Sequence, residues 1–221
     1  SNYANIYTAI GDKKRAIQNA DKAINAYKSI DNTYNVYIGL INKISIYDFL
    51  KDSRKETLID SVYQEFQKGK EQSDVLKIKL YDFKIENLVH QNKLNEAKNL
   101  LDKLKPIVDK INSDDLTQEY KVTLALYEIK KNPNYSDFED IKKALPTLKE
   151  NQQYEKVNMF YNVLQSKAIQ NQDYKKALQY EAEKKIVADS IGNIATREKI
   201  VELESDISDI EITKLIVNLL S

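Results

Sequence analysis

The chain has 221 residues, and 34 Lys+Arg balance 34 Asp+Glu, so its formal charge is zero. Its only arginines are Arg15, Arg54 and Arg197. A neutral chain this poor in arginine lacks the field and the bidentate donors that nucleic acid recognition uses, and it has no electrostatic attraction to an anionic membrane surface. The absence of cysteine excludes disulfides, thiolate zinc sites and a cysteine nucleophile without fixing the compartment.

Only 4 Gly and 3 Pro are present, too few for the turns of a strand-rich domain. Apolar residues recur instead at helical spacing, in pairs of helices over 3–30, 31–71, 73–112, 115–150 and 152–190. Polar breaks fall at Gly11–Lys13, Lys51–Glu56, Asn112–Asp115, Lys131–Asp137 and Gln170–Asp173. Asp and Ser before helical runs are expected to act as N-caps. In the third pair, Leu80, Phe83, Ile85, Leu88 and Val89 mark one helix, and Leu94, Ala97, Leu100, Leu101, Leu104 and Val108 the next. Pro106 is expected to kink that second helix or end its regular part.

Aligned on Ala16, Leu58, Ala97, Ile141 and Ala177, near the start of each second helix, the hairpins are separated by 42, 39, 44 and 36 residues. A two-helix unit of about 40 residues used five times predicts an all-α fold, an α-solenoid. The repeats resemble the tetratricopeptide family. The first shows Ala4, Tyr7, Ala16, Ala20 and Ala23 at that motif's small and aromatic positions. The third shows Leu94 and Ala97, and the last Tyr174, Ala177 and Leu178. Small residues there permit close helix crossing. The period is longer than the roughly 34 residues usual for that family. The expected architecture is about five tetratricopeptide-like hairpins over 1–190, followed by a long C-terminal capping or linker helix over 191–221.

Catalytic patterns are missing from the sequence. The four glycines are isolated, so no phosphate-binding loop exists. The single histidine, His90, reads as a surface residue at a helix C-terminus, where the dipole favours it. Asp114-Asp115 reads as a capping cluster, and the acids from Glu202 to Glu211 as a solvated helix face. An enzyme is therefore not expected, nor a cofactor or a metal. Of the 15 tyrosines, Tyr7, Tyr34, Tyr37, Tyr47, Tyr81, Tyr120, Tyr127 and Tyr161 fall on first helices, as packing residues or as anchors on a groove.

The resemblance implies a concave ligand groove lined by first helices. Its register falls on Lys43 and Tyr47, on Asp82, Glu86 and His90, and on Asn162, Ser166 and Gln170. Its expected occupant is a peptide or protein segment.

The last part of the chain changes pattern. Ile200, Leu203, Ile207, Ile210 and Val217 make a heptad-like seam, which either caps the open end of the solenoid or pairs with a second chain as a homodimer. Asp189-Ser190 followed by Glu202-Leu203-Glu204 resembles the end of the tetratricopeptide sensor region in membrane signalling proteins common in Bacteroidetes. That resemblance implies an extracytoplasmic sensor whose helix, through Ile200, Leu203, Ile207 and Ile210, leads to a downstream membrane span and a histidine kinase or helix-turn-helix output. No stretch of this chain approaches the roughly 18 apolar residues of a span. The opening Ser1-Asn2 reads as a tag scar, so the chain is expected to be excised from a longer protein. The alternatives are a stand-alone scaffold or chaperone adaptor, and a cytoplasmic regulator responding to peptide pheromones.

Overall fold

The computed structural model describes residues 2–9, 11–71, 73–132, 135, 138–150, 153–190, 192 and 193. Among them the chain is all-α, with no strand. The helices are α1 (Asn2–Ala9), α2 (Lys13–Ser29), α3 (Thr33–Phe49), α4 (Lys55–Lys68), α5 (Asp74–His90), α6 (Leu94–Ile111), α7 (Asp114–Lys131), α8 (Glu139–Glu150) and α9 (Tyr154–Gln170). A further helix, α10, runs over 174–190. They pair in order into five hairpins, with the expected breaks at the turns. The seam positions Ile200, Leu203, Ile207 and Ile210 lie outside the described residues.

The repeat is more regular than an alignment on apolar residues implies. The N-caps of α3, α5, α7 and α9 are Asn32, Ser73, Ser113 and Gln153, spaced 41, 40 and 40 residues apart. The uneven sequence spacing belongs to the second helices, which start at Lys13, Lys55, Leu94 and Glu139, and not to the choice of Leu58. Leu58 is half-buried, and its neighbour Ile59 carries the buried position of α4.

Four of the five hairpin turns have one geometry. Gly11, Lys51, Asn92 and Gln172 each take a positive φ. The next amide then reaches back to a carbonyl five residues earlier: Asp12 to Tyr7, Asp52 to Tyr47, Lys93 to Leu88 and Asp173 to Ala168, each at 2.8 Å. Such a turn satisfies carbonyls that a helix C-terminus would otherwise leave unpaired. Side-chain caps then start the following helices. Asp12 accepts from the Arg15 amide and Asp173 from the Lys176 amide, while Asn32 and Ser73 cap α3 and α5 in the same way. Ser113 makes no such bond, so the Asp114-Asp115 pair acts in the first turn of α7, where negative charge suits the helix dipole. Pro106 does not end its helix. α6 continues to Ile111, because the proline is exposed while Leu104 and Val108 hold the opposite face in the core.

Two layers follow from the packing. The odd-numbered helices lie directly on one another, α1 on α3, α3 on α5 and α5 on α7, while the even-numbered helices make no comparable layer among the described residues. We call this closer-spaced layer the inner one. Its helices are buried on several sides, as α3 is through Val36, Tyr37, Ile41, Ile44, Ile46 and Tyr47. The outer helices bury one stripe, as α6 does through Ala97, Leu100, Leu101, Leu104 and Val108. Each buried Leu, Ile or Val among them contributes about 1.5–3 kcal/mol.

Neighbouring hairpins are also joined by a recurring ion pair. Lys43 on α3 reaches Asp21 on α2 at 2.6 Å, and Lys84 on α5 reaches Asp60 on α4 at 2.7 Å. Both lysines stand at the same distance in sequence from their helix caps, Asn32 and Ser73. The equivalent residue of α7 is Leu124, which is half-buried against the core.

Candidate functional site on the inner helix layer

The inner layer collects charged side chains from four helices. Lys156, on the first turn of α9, ion-pairs with Glu86 on α5, 70 residues earlier in the chain. The two side chains are only 20% and 12% exposed. Asp82, one turn before Glu86, accepts a hydrogen bond from the Thr123 hydroxyl of α7, and Thr123 is fully buried. Asp48, near the end of α3, contributes a third carboxylate and pairs with Lys55 at 2.7 Å. At the edge, Lys79 and Glu119 approach to 3.8 Å.

Burial disfavours charge, and here it competes with the partners. Burial pushes Glu86 up to about 7; Lys156 opposes that shift, and the carboxylates of Asp82 and Asp48 add to it. Asp82 is raised for the same first reason, with Lys156 and Thr123 opposing and Glu119 adding. Burial works against the Lys156 ammonium too, but Glu86, Asp82 and Asp48 outweigh it and hold its pKa above the usual lysine range. Asp48 moves the other way: burial would raise it, yet Lys55, Lys51 and Lys156 keep it low. The inner cluster thus holds two carboxylates, Asp82 and Glu86, on one shared ammonium.

A pocket of about 180 Å³ opens next to Asp48, at the α3–α4 turn, lined also by Tyr47, Lys51, Asp52, Lys55 and Glu56. Asp52 anchors its floor. Its carboxylate takes Arg54 Nε at 2.9 Å and Nη2 at 2.7 Å, and Lys13 from the preceding hairpin at 3.1 Å.

The groove positions expected from the sequence separate into three groups. Asp82 and Glu86 come together in the cluster. Lys43 and Tyr47 are engaged locally: Lys43 holds Asp21, and the buried Tyr47 ring carries Lys43 Nζ at 5.4 Å and Arg54 Cζ at 4.9 Å from its centroid. His90, Asn162, Ser166 and Gln170 are exposed. On α9 the inward tyrosine is Tyr161, one residue before Asn162, with Lys149 at 5.1 Å over its ring and its hydroxyl 3.2 Å from Glu183. Most first-helix tyrosines are packing residues: Tyr37, Tyr47, Tyr81, Tyr127 and Tyr161 are all buried.

Lys156, Thr123 and Asp48 complete the cluster and escape a reading by repeat register. They lie at different distances from their helix caps, and only the packing of helices far apart in the chain brings them together. Among the described residues no group of three or more His, Cys, Asp or Glu is placed to hold a metal ion, and no helix is long and apolar enough to cross a membrane. No protein-family model, curated protein or solved structure matches the chain.

Proposed function

We propose that this chain is a ligand-binding module of tetratricopeptide type, the non-catalytic sensor segment of a bacterial signalling protein. It takes a peptide or protein segment on its inner helix layer and passes the event to its C-terminal helix. The observation that carries this reading is the charge cluster itself. Asp82 stands where α3 carries Ile41 and α7 carries Val122, Glu86 where α7 carries Leu126, and Lys156 where α5 carries Leu76, all four of these apolar residues being buried in the core. Replacing buried ion pairs by apolar residues is often neutral or stabilising, so stability alone does not account for the cluster. Two carboxylates on one ammonium favour a ligand presenting Lys or Arg.

The far end of the domain supports the second half of the reading. On α10, Leu178 is 72% exposed and Tyr174 and Ile186 are exposed as well, along one face. Such a face is suited to a following helix or a second copy, which makes Ile200, Leu203, Ile207 and Ile210 the proposed transmitting positions. The resemblance implies a module outside the cytoplasm, ahead of a membrane span and a histidine kinase or helix-turn-helix output.

A charge-varied peptide array probed with the purified chain tests the binding. Lys/Arg-containing peptides are expected to be retained, and Asp82→Asn with Glu86→Gln to release them. Retention unchanged by the double variant would remove the inner layer as the binding surface.

A further inference from the structure

The last hairpin is joined to the rest of the fold differently from the others. α3, α5 and α7 stack directly on their predecessors in the inner layer, whereas the backbone of α9 approaches α8 of the preceding hairpin and makes no comparable approach to α7. Side chains of α7 and α9 do share a core, Val122 and Leu126 with Val157 and Phe160. The polar tie across the inner layer is Lys156, which passes over α7 to reach Glu86 on α5.

We propose that Asp82, Glu86 and Lys156 form a proton-linked clasp between the third and fifth hairpins, closed while the carboxylates share a proton and loosened once both are ionised. The proposal goes beyond ligand binding and stands whether or not a peptide occupies the inner layer.

Charges from every neighbouring helix enter the balance. From α3 comes Asp48, answered by Lys55 beside it and Lys51 just past the end of that helix. From α5 come Asp82, Glu86 and Lys79, from α7 Glu119 and Thr123, and from α9 Lys156. Glu119 is met by Lys79 at the exposed edge. What remains inside is Asp82 and Glu86 with a single ammonium. When both ionise, two like charges face each other in a poorly hydrated space, and moving α9 outward lets water reach them.

The direction follows from linkage. A carboxyl that binds its proton more tightly in the closed arrangement than in water is favoured closed by acid and opened by base. The Glu86 carboxyl lies at about 7, above its ordinary 4.5, so the transition falls near neutrality.

The absence of cysteine makes the test direct. His90→Cys on α5 and Ser166→Cys on α9 are both at exposed positions. Spin labels there report the α5–α9 distance by double electron–electron resonance between about pH 5.5 and about pH 8.5. One narrow distance is expected at the acid end, with a longer and broader distribution at the alkaline end and a midpoint near 7. Adding Glu86→Gln, which keeps the shape without the charge, is expected to hold the narrow distance throughout. A distance that ignores pH in the parent pair, or a transition that survives Glu86→Gln, would overturn the clasp. Circular dichroism on each sample separates clasp opening from loss of helix.

Discussion

Gly39 on α3 and Ile24 on α2 are in such close contact that a methyl group on the glycine would stand 2.8 Å from Ile24 Cγ1. The clashing atom lies near the root of a side chain that is itself 4% exposed, so it has little room to turn away. Gly39→Ala gains about 1 kcal/mol of helix propensity and loses about 1–3 kcal/mol to overpacking. The expected net is a loss of about 1 kcal/mol, visible as a lower urea midpoint with an unchanged slope.

The recurring turn gives a pair of opposite expectations. Gln172 sits at φ 60 and Gly11 at φ 82, in equivalent turns. An L-residue in that conformation costs about 1–2 kcal/mol, and glycine avoids the cost. Gln172→Gly is expected to raise stability by up to about 1 kcal/mol after its own entropy loss in the unfolded chain. Gly11→Ala is expected to lower it by about 1–2 kcal/mol. Thermal melts of both variants read the two signs; equal signs would show that the turns are not equivalent.

Asp52 links stability to acid. The Arg54 side-chain hydrogen bonds hold its carboxyl well below the usual carboxylate range, with burial opposing them and Lys13 helping. A carboxylate depressed in the folded state binds its proton more tightly when unfolded. Its contribution is therefore present above about pH 4 and disappears as pH falls further. Arg54 and Lys13 are 59% and 48% exposed, so salt weakens the pair. Asp52→Ala is expected to cost about 1–2 kcal/mol through the lost cap on the Arg54 amide. Urea midpoints between about pH 6 and about pH 3 should fall more steeply for the parent than for the variant.

The helices and their breaks are legible because they rest on local chemistry: apolar spacing within each run, and Gly, Asn or Asp where the chain turns. The period is harder to read. Gly11, Lys51, Asn92 and Gln172 perform one backbone task with four residue types, so the turn leaves no common letter. Leu58 beside Ile59 offers two apolar residues where one is buried. The candidate site divides along the same line. Asp82 and Glu86 share one helix face and are placed together by the groove register that the resemblance implies. Lys156 reaches them only through the packing of the third, fourth and fifth hairpins, 70 residues later in the chain, which no local window of residues encodes.

The matched lysines have a consequence for how the chain can vary in size. Excising residues 33–73 would leave Asn32 as the cap of α5 and set Lys84 where Lys43 now stands, facing Asp21. The joint between neighbours is thus portable. The second hairpin is a cassette that leaves or enters with the same Lys–Asp seam on either side, whereas the α7 boundary, with Leu124 in that place, is not interchangeable with it.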